Sequence, residues 1–418
     1  MKFDIWKECP KVPLPSVLLT VVDNLGKTVP TAPSGHKLIA TNCVRNENLY
    51  PVYEKIRYLS EETYRTWFRA HPEPGDIIFV CKGTPGRVCL VPDPIDFCIA
   101  QDMVALRADP KIVYNKYLLA VLRSFQIQEQ ILSTSVGDVI PHFKKSFFDQ
   151  MMIPIPNMDI QKSIGDFYYT ISEKTELNKK INDNLLEQIR TLCTAWLSDY
   201  KPFDGAVPSD WVETPLSDIA EFVSGYSYKG SELTDSTIAM ATIKNFDRKG
   251  GFKLDGYKEI IPSSKLKESQ HAELFDTLVA HTDLTQNAEV IGNAEPVMSK
   301  SGYDDIIFSM DLVKVLPKKE NVSKFLLAAI LQDKKFKAHC LGYVNGTTVL
   351  HLSKKALPEY KLFLPSDLSK LRPLDEIVTT LYKQISSNIS ENTYLEELRV
   401  ALLPKLMSGE LDVSGIDL

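Results

Sequence analysis

The sequence predicts an α+β protein in which one design is used twice. Three observations carry that expectation: a motif repeated at half the chain length, a long heptad pattern after each copy, and short apolar runs of strand and helix character inside each copy. The chain has 418 residues and the repeat offset is 209. The expected organisation is a first block over 1–156, a long helix over 157–197, a linker over 198–211, a second block over 212–366, and a second long helix with a C-terminal tail over 367–418. Each block is expected to hold a mixed β-sheet. The two helices are expected to pair as an antiparallel coiled coil, which gives the chain a pseudo-two-fold internal repeat.

The repeat is plainest in "GDVIPHFKKSFFDQMMIPIP", from Gly137, and "GTTVLHLSKKALPEYKLFLP", from Gly346. Gly137 and Gly346, His142 and His351, Ile155 and Leu364, and Pro156 and Pro365 all stand 209 residues apart. Asp102 of "AQDMVAL" and Asp311 of "SMDLVKV" keep the same offset, as do Glu187 with Glu396 and Arg190 with Arg399. A fixed period over whole segments is the signature of duplicated structural units. The centres of the copies diverge: "GDIIFVCKGTPGRVCLV" has little in common with "FDTLVAHTDLTQNAEVIG". A shared frame with unlike central loops suggests one task performed on two different targets.

Within the blocks, "GDIIFV", "MVALRA", "TLVAH" and "DLVKVL" are short β-branched apolar runs and predict buried strands. "NKYLLAVLRSF" and "SKFLLAAILQD" carry helical spacing. After the first block, steps of four and three select Ile164, Phe167, Ile171, Lys174, Asn178, Ile181, Leu185, Gln188 and Leu192. After the second they select Leu374, Val378, Leu381, Ile385, Asn388, Asn392, Leu395, Arg399 and Leu402, with no proline before Pro404. Both seams turn polar at mid-length, at Lys174/Asn178 and Asn388/Asn392. Polar seam residues cost stability and specify register and partner, so the two helices are expected to pair with each other. About 33 paired residues at roughly 1.5 Å each would make a spacer near 50 Å long.

Composition narrows the function. The chain is 44% apolar and 24% charged, an ordinary globular balance. Its opening, "MKFDIWKECP", lacks the apolar core of a secretory signal, and seven cysteines without a CxxC pair read as free thiols of a reducing cytoplasm. The net charge is −6, but residues 1–156 hold 18 Lys+Arg against 16 Asp+Glu and residues 212–365 hold 19 against 20. The acidity sits in the helical segments, with 6 against 9 over 157–211 and 5 against 9 over 366–418. A nucleic-acid surface would therefore be a local patch on a block.

Signatures of catalysis are missing. "GTPGRV", from Gly83, lacks the GK[ST] ending of a phosphate loop, and no methyltransferase-type cofactor loop or nuclease carboxylate cluster stands out. The seven histidines include no i,i+4 pair suited to a metal. No cofactor and no metal are expected. A binding protein remains, either a reader of DNA or a non-catalytic coiled-coil scaffold with two protein-binding domains. Binding to duplex DNA that weakens steeply with salt separates the two.

The C-terminal "LRVALLPKLMSGELDVS", the mid-chain "NKKINDNLLEQIRTLCTAWLSDYKPFDG" with the following "SDWVETPLSDIAEFVSGY", and "HTDLTQNAEVIGN" resemble the specificity subunit of type I restriction-modification systems. The likeness runs through the whole chain in the order of two target-recognition domains separated by long helices. It implies a DNA-binding subunit whose two domains each read half of a bipartite site. It also implies helices that set the gap and dock two methyltransferase subunits, with restriction motor-nuclease subunits joining the full complex and no membrane involved. The first block departs from the common pattern at its abrupt start, and Asp138 stands where the second copy has Thr347.

Candidate DNA contacts follow from residue chemistry. Lys144, Lys145, Lys354 and Lys355 are suited to neutralising phosphates, with His142, His351, Thr347 and Thr348 beside them on glycine-led turns. Base reading is expected from segments that differ between the copies: Lys82, Thr84 and Arg87 in the first, and His281, Thr282, Thr285, Gln286 and Asn287 in the second. Arginine matches the N7/O6 edge of guanine, and glutamine or asparagine the N6/N7 edge of adenine.

Overall fold

The computed structural model describes residues 4–24, 27–135, 141–248, 250–285 and 287–411. Gly137, Asp138 and Gln286 lie outside the described residues. The chain divides into two units, Met1–Leu177 with Tyr394–Leu418, and Asn178–Thr393.

In the first unit, strands β1 (Lys11–Pro13), β2 (Leu18–Val22), β3 (His36–Ile39), β4 (Arg57–Leu59), β5 (Ile77–Val80), β6 (Val88–Leu90), β7 (Phe97–Ile99), β8 (Met103–Ala108) and β9 (Met152–Pro154) form three sheets. Their orders are β2-β8-β5-β6, β4-β3-β7 and β1-β9. Helices α1 (Asn115–Leu122) and α2 (Phe125–Thr134) follow β8, and the long helix α3 (Met158–Leu197) follows β9. The unbroken apolar run of β5 has a clear cause. Ile77 and Phe79 face the cluster that holds α1 and α2, whereas Ile78 and Val80 face the cluster of the β3 sheet. A strand alternates its side chains between two faces, so a sheet covered on both must be apolar at every position. Phe79 is fully buried, and its truncation to alanine should cost roughly 3–5 kcal/mol.

The second unit repeats this plan. Its strands are β10 (Trp211–Pro215), β11 (Ala220–Ser224), β12 (Ile238–Ala241), β13 (Lys258–Glu259), β14 (Thr277–Ala280), β15 (Thr282–Asp283), β16 (Ala294–Pro296), β17 (Asp305–Phe308), β18 (Leu312–Pro317), β19 (Val344–Asn345), β20 (Leu350–Leu352) and β21 (Lys361–Pro365). The orders β11-β18-β14-β16, β13-β12-β17 and β10-β21 match the first unit sheet for sheet, including a parallel strand pair in each, β3 with β7 and β12 with β17. The sheet β15-β20-β19 is an addition of the second unit. Helices α4 (Lys324–Leu331) and α5 (Lys334–Leu341) follow β18, and the long helix α6 (Arg372–Met407) follows β21. A buried carboxylate before the central strand recurs as well. Asp76 receives two bonds from Arg107, at 2.9 and 3.0 Å, and Asp276 pairs with Lys314 at 3.6 Å and with Lys324.

The long helices run antiparallel inside each unit. In the second unit the Asn178 amide donates to Asn392 Oδ1 at 2.9 Å and to Glu391 at 2.7 Å, and Asn388 donates to Asn182 Oδ1 at 2.8 Å. Asn178 with Asn388, and Asn182 with Asn392, each stand 210 residues apart, so exchanging the helices exchanges the bonds. In the first unit Arg399 lies over the Tyr168 ring, 5.9 Å from its centroid, and Leu403, Leu406 and Met407 join the core of the block.

The seam differs from the expected one in α3. Its buried positions are Gln161, Ile164, Gly165, Tyr168, Ser172, Thr175, Asn178, Asn182, Ile189, Cys193 and Leu197. Beyond Ile164, only Asn178 coincides with the predicted set; Lys174 is exposed and Ile181 is 38% exposed. In α6 four expected positions differ: Tyr382 and Leu403 are buried in place of Leu381 and Leu402, and Asn392 and Leu395 are half-buried. A periodicity of apolar residues could not find this stripe, because its centre is small and polar. Those groups tolerate burial by bonding: Ser172 Oγ donates to Tyr168 O at 2.9 Å and Thr175 Oγ1 to Ile171 O at 3.0 Å.

All seven cysteines are buried and unpaired. No helix among the described residues is long and apolar enough to cross a membrane.

A candidate nucleic-acid interface on two matched turns

Each unit holds a turn after the central strand against the segment that carries the repeated histidine. In the first, the Cys81 amide donates to Asp102 O and the Phe143 amide to Cys81 O, both at 2.8 Å. Lys82 and His142 thereby form an antiparallel bridge. In the second, the His281 amide donates to Asp311 O and the Leu352 amide to His281 O, again at 2.8 Å. Thr282 pairs with His351 and Asp283 with Leu350. The residues that recur at offset 209, Asp102 with Asp311 and His142 with His351, are thus the backbone anchors of the turn in both copies.

On these anchors the side chains divide. Lys82, His142 and Lys144 are exposed in the first unit, and Thr84 and Arg87 are half-buried. Lys145 is half-buried and paired with Asp23. In the second unit Asn287, Thr347, Thr348, His351, Lys354 and Lys355 are exposed. Gly346 turns the chain ahead of Thr347 with φ +107°, and a Cβ there would lie 2.2 Å from Val349 O, so only glycine fits.

Three predicted base readers of the second unit differ from expectation. Thr282 is 7% exposed, because it lies within the added sheet rather than on a free loop. Thr285 donates both its amide and its hydroxyl to Asp283 Oδ1, at 2.7 and 2.8 Å, and so holds the loop together. His281 is half-buried. Burial pushes its imidazole pKa down to about 4, and Lys354 and His351 beside it act in the same direction, so it is neutral at pH 7.

Asp283 is the residue that sequence reasoning missed at the turn itself. It is 2% exposed and also accepts from the amides of Val290, at 2.6 Å, and Ile291, at 3.1 Å. Burial acts to raise its pKa, but those donors outweigh it and hold the carboxyl below the usual range. The signal was present in "TDLT", the pattern of an aspartate bonding a backbone two residues on.

The matched turns define a class: a duplicated fold that presents unlike exposed side chains on one repeated frame. Among the described residues no group of three His, Cys, Asp or Glu is placed to hold a metal ion.

Comparison with known proteins makes the class particular. Residues 32–187 match the family described as the type I restriction modification DNA specificity domain. The chain is similar to the type I restriction enzyme MjaVIII specificity subunit of Methanocaldococcus jannaschii, 23% identical over 338 residues that cover 76% of this chain and 75% of that one. It is similar to the HindI specificity subunit of Haemophilus influenzae, 22% identical over 398 residues covering 81% and 86%. The solved S subunit of a type I restriction-modification system from M. genitalium shares the fold, with a TM-score of 0.55 at 18% identity, covering 97% of this chain and 98% of that chain. The chain is thus similar over most of its length to type I restriction-modification specificity subunits, in line with the resemblance its motifs carry.

Proposed function

We propose that this chain is the sequence-reading, non-catalytic subunit of a type I restriction-modification complex, and that each unit reads one half of a bipartite, asymmetric site on double-stranded DNA. One observation carries the reading: two copies of the same sheet plan hold unlike turns at the same place, on the same backbone anchors. A duplicated frame with a divergent tip suits two half-sites of different sequence. Lys144, Lys145, Lys354 and Lys355 serve as phosphate contacts, Lys145 exchanging Asp23 for a phosphate. Lys82 and Arg87 in the first unit, and Gln286 and Asn287 in the second, are the groups suited to base edges. His142, His351, Thr84, Thr347 and Thr348 stand beside them as further donors. The paired helices set the gap between half-sites and dock two methyltransferase subunits, with motor-nuclease subunits completing the assembly in the cytoplasm.

Exchanging residues 212–365 for the second block of another family member tests the reading. Mapping of methylated positions in the assembled complex should show one half of the site changed and the other retained. A change in both halves, or in neither, would refute independent reading.

A further inference from the structure

The two turns share a second device, which lies on the short helices rather than on the turns. In the first unit Gln128 of α2 donates from Nε2 to Gly86 O at 2.9 Å, immediately before Arg87. In the second, Lys337 of α5 donates from Nζ to Ala288 O and Glu289 O, both at 3.3 Å, to Asn293 Oδ1 at 2.8 Å, and to Ile291 O. Gln128 and Lys337 stand 209 residues apart. Each turn also seats a left-handed glycine on the same helix. A Cβ on Gly86, at φ +88°, would meet Ile131 at 3.0 Å, and one on Gly292, at φ +76°, would meet Cys340 at 2.7 Å. Ile131 and Cys340 are again 209 apart. Neither pair is identical, so the correspondence emerges from geometry alone.

The second clamp is more heavily built, as its loop requires. Thirteen residues separate β14 from β16, whereas seven separate β5 from β6. A longer loop has more conformations to exclude, and a half-buried ammonium satisfied by several acceptors excludes them better than one amide bond to the loop. Burial disfavours the Lys337 charge, and Asp283, which gathers donors from the same loop, lies near enough to oppose that effect.

We propose that Gln128 and Lys337 are positioning residues for DNA reading, holding the carbonyl side of each turn so that its tip meets one base edge and not another. The inference rests on the proposal that these turns read bases. Neither residue touches DNA itself. Misplacement of a contact by about 1 Å is enough to lose the bidentate geometry on which base discrimination depends.

The test uses the full chain, selected against a randomised duplex library, with the bound duplexes sequenced. The variants are Lys337→Met, Lys337→Arg, Gln128→Met and, at the turn tip, Asn287→Ala. Lys337→Met should lower discrimination at the second half-site by about tenfold, within the range of one bidentate base contact. The first half-site, unchanged in the same molecules, reports that the chain is folded. Lys337→Arg should restore part of the loss, and Gln128→Met, which removes only the neutral bonds to Gly86 O and Leu122 O, should relax the first half-site alone. If Asn287→Ala alters the second half-site while Lys337→Met and Gln128→Met leave both intact, the clamp is refuted and base reading stands. If Lys337→Met weakens both half-sites together with the melting temperature, its role is structural and the proposal fails. If none of the variants alters either half-site, the turns do not read bases.

Discussion

Replacing Asn388 by alanine tests the polar seam directly. The change removes the donor of the 2.8 Å bond to Asn182 Oδ1, and Asn182 is only 9% exposed. It also removes the acceptor that Gln384 Nε2 reaches at 2.8 Å, but Gln384 is exposed and can turn to water. The cost is therefore set by one buried amide left without its partner, about 1–3 kcal/mol. At about 2 kcal/mol, with a urea dependence of roughly 2 kcal/mol/M, the unfolding midpoint of the second unit falls by about 1 M. Replacing both partners by leucine leaves no orphaned group and should recover most of that loss. A double-mutant cycle on Asn182 and Asn388, followed by hydrogen exchange of the seam amides in urea, should yield a coupling energy of about 0.5–3 kcal/mol. A coupling energy of zero, or a double leucine variant as unstable as the single alanine one, would refute the pairing. The leucine pair should also lose register, because an apolar seam accepts neighbouring alignments that an asparagine pair rejects.

Three further outcomes are expected. Asp276→Ala leaves the Lys314 ammonium, whose side chain is 8% exposed, without its carboxylate, and should destabilise the second unit by about 3–5 kcal/mol in thermal melts. His281, neutral down to about 4 when folded and nearer 6.5 when unfolded, makes the unfolded chain bind the extra proton between those values. Its contribution to stability is thus complete above about pH 6.5 and is lost as pH falls towards 4, and an NMR titration of its ring should find the low midpoint. Substituting Lys144 or Lys354 by alanine should lower the salt dependence of DNA binding by about one unit of slope for each phosphate no longer neutralised, with half-site preference unchanged.

The sequence alone determined the duplication, the mixed sheet-and-helix class and the order of elements. Each of these is written in local signals: β5, β8, β14 and β18 are apolar runs of strand length, α1 and α4 carry helical spacing, and offset 209 survives at the turn anchors because backbone pairing there tolerates little change. The residues flanking the turns, Lys82, His142 and His351, were likewise legible as polar, glycine-led segments. Tertiary structure alone decided which stripe of α3 is buried, since Ser172, Thr175 and Asn182 become seam residues only when a partner helix supplies or permits their bonds. It decided the fates of Thr282 and Thr285, one sealed into an added strand and the other turned inward to Asp283. It also decided the equivalence of Gln128 with Lys337 and of Ile131 with Cys340, which share position but not chemistry. Short-range patterning reports what a residue can do with its neighbours along the chain. What it does with a helix far along the chain depends on the folded geometry that brings the two together.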